Sequence, residues 1–94
     1  MSDKIMTLHP EEGKRGVNIS LQKYNQVKTA ILDTLHAEGE VTFVGLTETV
    51  EHKLANQFDG SIGWYVVTVK LDLEARRIIE RIPGSSPQQL RLVK

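Results

Sequence analysis

The stretch Ser61 to Arg77, SIGWYVVTVKLDLEARR, constrains this chain more than any other. It reads two ways. As a strand, Tyr65, Val67, Val69, Leu71 and Leu73 share one face, and Val66 to Val69 are all β-branched. As a helix, Ile62, Val66, Val69 and Leu73 recur at spacings of four, three and four, a single stripe of a 3.6-residue period. Length favours the helix, because an apolar pattern of about a dozen residues exceeds the usual strand. So do the ends. Ser61 follows the turn signal Asp59-Gly60 and can cap the first free N–H groups, and Lys70 pairs with Glu74 at i,i+4. The spacing predicts a helix over 61–77.

The rest of the chain must bury that stripe with few residues. Ninety-four residues make one small domain with a thin core. The absence of cysteine excludes disulfides and thiolate chemistry. No apolar run approaches a membrane span or a signal-peptide core, so a cytoplasmic location and no membrane partner are expected. Formal net charge is zero, which argues against a strongly basic nucleic-acid binder. Its distribution is uneven. Residues 29–60 hold Asp33, Glu38, Glu40, Glu48, Glu51 and Asp59 against Lys53, whereas residues 76–94 hold Arg76, Arg77, Arg81, Arg91 and Lys94 against Glu80. Such polarity suits an anionic partner at the basic end, and equally suits head-to-tail self-association.

In chain order, Ile5, Met6 and Leu8 form a short apolar patch stopped by His9-Pro10. A charged turn, Glu11 to Gly16, leads to the extended piece Val17-Asn18-Ile19. An N-terminal arm or loose hairpin over 1–19 fits this pattern, with the first four residues frayed. Gly13-Lys14-Arg15-Gly16 lacks the glycines and the Ser/Thr after lysine that a phosphate loop needs. Ser20 caps a first helix over 21–38, ended by Gly39, with Tyr24, Val27, Ile31 and Leu35 inward. Val41 and Phe43 allow a minimal strand, and Thr42 caps a second helix over 43–57. After the long stretch, Ile78 to Ile82 and Gln88 to Lys94 read as strands. The loop Pro83-Gly84-Ser85-Ser86-Pro87 joins them into a hairpin with a five-residue turn.

Helix, short strand, helix, turn, helix and hairpin is the order of a winged helix-turn-helix. The run from Tyr24 to the C-terminus resembles that superfamily at three places. They are Val41-Thr42-Phe43 with Leu46 opening the second helix, Leu73-Glu74-Ala75 closing the third, and Ile78-Ile79-Glu80-Arg81 entering the wing. More closely, the Gly63-Trp64-Tyr65 and Thr68-to-Arg76 segments, with Pro83-Gly84-Ser85-Ser86-Pro87-Gln88, resemble a small bacterial family to which no function is attached. The resemblance implies an α+β fold, a winged-helix domain over 20–94 behind the arm. It departs from the pattern at Arg77, which stands where a glycine usually turns the chain into the wing. Either Arg77 takes a positive φ at some cost, or the turn is built differently.

For function, the resemblance implies that the third helix enters the major groove of duplex DNA and that the wing touches backbone. Groove contacts then fall to Thr68 and Lys70, and phosphate contacts to Arg76, Arg77, Arg81, Arg91 and Lys94. The residues agree only in part. With Ile62, Val66, Val69 and Leu73 inward, the outer face offers Trp64, Tyr65, Val67, Thr68, Leu71 and Asp72. It has no Asn, Gln or Arg in its first half to read bases directly. Large aromatics mostly supply buried area, so Trp64 and Tyr65 suit the core or a subunit contact, with base stacking the lesser reading. The N-terminal arm or a second subunit can cover this face, and an interaction module would use Trp64, Tyr65 and Leu71. The tail arginines suit local ion pairs and the helix C-terminus as well as phosphate. Glu48, Glu51 and His52 lie within one and a half turns, but three histidines and no cysteine make a full metal set hard to assemble. No cofactor and no catalysis are expected. A DNA-associated regulatory module leads, and a protein-interaction module on the same frame is the alternative.

Overall fold

The computed structural model describes residues 3–93. Three short polar side chains start the three helices. Ser20 accepts the Lys23 N–H and opens α1, Leu21–Glu38. Thr42 accepts the Gly45 N–H at 3.0 Å and opens α2, Phe43–Leu54. Ser61 accepts the Trp64 N–H at 3.2 Å and opens α3, Ile62–Ala75. Each satisfies one of the donors that a first turn leaves free. The helical reading of 61–77 holds and the strand reading does not.

The ends differ more than the starts. α1 stops at Gly39, whose φ of 80° suits glycine and whose N–H returns to the Leu35 carbonyl. α2 is three residues shorter than its pattern suggests. Ala55 leaves helical geometry and Asn56 takes a φ of 71°, a conformation asparagine tolerates better than most residues. α3 ends in a Schellman turn: Ile78 N–H donates to Leu73 O and Arg77 N–H to Glu74 O. Arg77 occupies the left-handed position with a φ of 61°. The missing glycine is therefore met by strain in an arginine, not by a different turn.

Four short strands and one of four residues form two antiparallel sheets. β1, Lys4–Met6, pairs with β2, Asn18–Ser20, through Ile5 opposite Ile19. Thr7 extends this hairpin, exchanging both backbone and hydroxyl bonds with Val17. Gly16 lies so close that any Cβ there would overlap the Thr7 carbonyl. β3, Glu40–Thr42, β4, Ile79–Arg81, and β5, Gln89–Leu92, make the second sheet in the order β3-β5-β4. Phe43 belongs to α2 and not to the strand, although its N–H donates to Gln88 O. The connection between β4 and β5 runs over residues 82–88, longer than a five-residue turn. Ser85 braces it, donating to Ile82 O and accepting from Gln89 N–H.

The core gathers one stripe from each element. Val27, Ile31 and Leu35 of α1 meet Leu46 and Val50 of α2, and Val66, Val69 and Leu73 of α3 close over them. Ile79 and Leu90 bring in the sheet, and Ile19 brings in the N-terminal hairpin. The result is a small α+β fold of three helices and a small antiparallel sheet, preceded by a hairpin.

Candidate functional site

The outer face of α3 and the junction where α3 meets β4 hold most of the site residues expected from the sequence. On the outer face Trp64 is 47% and Val67 41% exposed, while Thr68 and Leu71 are half-buried. Tyr65 turns to the flank. Its ring meets Phe58 and Trp64 edge-on, each at 5.0 Å between centroids, and the Lys23 ammonium sits 5.5 Å from it. The aromatic cluster is thus set by the turn before α3 and by α1, with only Trp64 left largely open.

Two residues expected on the open side of α3, Lys70 through the resemblance and Asp72 through periodicity, lie inside. Lys70, expected to contact bases or phosphates, is 3% exposed. Its ammonium donates to Glu74 Oε2 at 3.0 Å and Gln88 Oε1 at 2.9 Å, and lies 4.9 Å from the Phe43 ring centre. Burial lowers its pKa, with Glu74 acting in the opposite direction. The physical reason is its position on the α2 side of α3, where the β4–β5 loop and Phe43 close over it. Asp72, expected beside Leu71 on the open side, has no exposure. It sits on the opposite flank, under the N-terminal hairpin. Its carboxylate accepts from Leu8 N–H at 2.8 Å, from the Tyr24 hydroxyl and from Arg76 Nε. No sequence signal pointed to this centre, because Leu8, Tyr24 and Asp72 come from three separate segments.

The basic tail is largely occupied by its own carboxylates. Arg76 is held by Asp72, which raises its pKa above the usual arginine value. Arg81 reaches Glu74 Oε1 at 2.7 Å, and Arg91 reaches Glu80 Oε2 at 2.7 Å. Arg77 is exposed and makes no side-chain hydrogen bond or ion pair among the described residues. Lys94 lies outside the described residues. The acidic stretch shows the reverse pattern: Asp33, Glu38, Glu40, Glu48, Glu51 and Asp59 are exposed, and none is ion-paired among the described residues. Glu48, Glu51 and His52 lie on the open side of α2. Among the described residues no group of three or more metal-ligating side chains comes together, and no helix is long and apolar enough to cross a membrane.

These features define a small α+β domain whose third helix shows an apolar outer face and whose tail arginines are mostly neutralised from within. The chain belongs to a family of unknown function, DUF6958, whose model matches residues 4–90. No curated protein and no solved structure matches it.

Proposed function

We propose that this domain is a winged helix-turn-helix used as a protein-interaction module, docking a partner protein on the outer face of α3. The winged-helix reading is supported by the sheet order β3-β5-β4, which brings the strand before α2 beside the hairpin that follows α3. The interaction reading rests on one observation. The helix that would read DNA in such a frame exposes Trp64 and Val67, and its lysine is turned inward against Glu74. Tryptophan and tyrosine are the side chains on which binding energy most often concentrates. Apolar exposure beside a half-open aromatic cluster suits a protein surface better than a phosphate backbone, which favours cations.

A photo-crosslinking residue placed at position 67 in cells tests this reading. A discrete protein adduct is expected from position 67, lost in Trp64→Glu and absent when the crosslinker stands at Glu51. Sedimentation of the purified chain over a concentration series tells a second copy from another protein. No adduct from position 67 and a concentration-independent monomer together overturn the proposal.

A second reading, duplex DNA, keeps one specific support. The side chains of Arg81 and Arg91 remain 51% and 41% exposed despite their pairs, and Arg77 has no ion pair among the described residues. That arrangement allows backbone contacts by Arg77, Arg81 and Arg91, with Thr68 nearest the groove. It predicts retention on duplex DNA at low salt, weakening steeply as salt rises and with Arg81→Ala and Arg91→Ala combined. Absence of retention at low salt ends it.

A further inference from the structure

Where α3 ends, a cleft opens between the loop after β1 and strand β4. His9, Pro10 and Glu11 form one wall, Glu74, Ala75 and Arg77 the end, and Glu80 and Arg81 the other wall. Three carboxylates in such a cleft would ordinarily repel an anion. Here each is already committed. Glu11 pairs with Lys14, Glu80 with Arg91, and Glu74 with both Lys70 and Arg81. With Arg77, five cations stand against three carboxylates.

Among the described residues, Arg77 is the cation of this cleft that remains uncommitted. Its backbone sits at a φ of 61°, the C′ position of the Schellman turn, where a side chain is disfavoured and glycine is not. Nothing in the turn needs the guanidinium. The Arg77 N–H, the Ile78 N–H and the Arg76 N–H already bind the last carbonyls of α3, which also blunts the negative end of that helix. His9 adds a donor. Its Nδ1 accepts the Glu11 N–H at 3.1 Å, which puts a ring hydrogen on Nε2. Pro10, Ala75 and Val93 supply apolar lining beside these groups.

We propose that this cleft binds a small organic anion, a single carboxylate or phosphate on a short apolar body, with Arg77 as its principal ligand. Arg81, whose Nε is spent on Glu74, and His9 Nε2–H complete the cradle for the head group. The planar guanidinium suits either head, since both accept paired N–H donors. This site is separate from the α3 face and does not depend on what docks there.

The test is an amide-resolved NMR titration of the full chain with benzoate and with phenyl phosphate, at matched ionic strength. Saturable shifts are expected at residues 9–11 and 77–81, and the tighter of the two probes identifies the head group. Arg77→Gly should weaken binding about tenfold or more, with an unfolding midpoint equal to or above that of the wild type. Arg77→Asn, which tolerates the left-handed turn, should behave in the same way. Trp64→Glu should leave the titration unchanged. No saturable shift with either probe, or equal affinity in Arg77→Gly, overturns the proposal.

Discussion

At Asp72 a carboxylate without solvent exposure collects the Leu8 N–H, the Tyr24 hydroxyl and the Arg76 guanidinium. It therefore ties the N-terminal hairpin, α1 and α3 to one point. Asp72→Ala would leave a buried hydroxyl and an arginine without their partner, and should cost about 3 kcal/mol in urea unfolding. Amide exchange across the β1–β2 hairpin should rise with it. Tyr24 gives this centre a pH signature. Burial first, and then the bond to Asp72, push its hydroxyl from 10.0 up to about 12. The folded state thus favours the protonated form, so its contribution is whole below pH 10 and is lost as pH climbs towards 12. A denaturant series across that window should show stability falling, and Tyr24→Phe should flatten that part of the decline. Lys70 is a milder case. Lys70→Met removes one partner of a buried pair and leaves Gln88 Oε1 without its donor, but Glu74 keeps Arg81, so the cost should be about 1–3 kcal/mol.

Among the elements, α3 carries the sharpest contrast between its two ends. Its start is an ordinary serine cap, but its end holds an arginine in a glycine conformation. Arg77→Gly relieves that strain and gives up a cation near a helix C-terminus, two effects of opposite sign. The strain is the larger, and thermal unfolding should show a gain of up to about 1 kcal/mol. The middle of α3 answers to its neighbours on each side. The α2 side takes Lys70, the hairpin side takes Asp72, and only the stripe through Trp64 and Val67 stays open. The β4–β5 hairpin is braced within its own loop by Ser85 and to α3 by Gln88, so its position follows α3 closely.

For the whole molecule, all three strands of the second sheet pack against helices, with β5 at the centre of the sheet. Leu90 is fully buried on that strand, with β3 and β4 on either side. Leu90→Ala should cost about 3 kcal/mol, read as a lower unfolding midpoint with an unchanged slope. The charge pattern acts at this scale too. Net charge is zero, but the basic end consumes its own carboxylates, whereas the acids of residues 29–60 stay open to solvent. The surface left unbalanced is therefore more acidic than the linear sequence suggests, which weighs against a broad phosphate contact.

Most of the frame was legible along the chain. Ser20, Thr42 and Ser61 mark helix starts by a local chemistry, a side-chain oxygen meeting a free N–H, and the stripes of α1 to α3 follow from a period of 3.6. The turn at Arg77 was legible only as two alternatives, a positive φ or a different turn, and the tertiary structure decided for the first. The resemblance failed for Lys70, and periodicity failed for Asp72. Periodicity tells how far a residue stands from the buried stripe of its own helix, but not what another segment lays across its flank. Both lie some 60–100° from the centre of the α3 stripe, which is open on a lone helix and closed once the β4–β5 loop and the N-terminal hairpin dock. Packing of segments distant in sequence withdrew two charged residues from the expected binding face. It left Trp64 and Val67 on α3, and Arg77 at its end, as the groups still free to meet a partner.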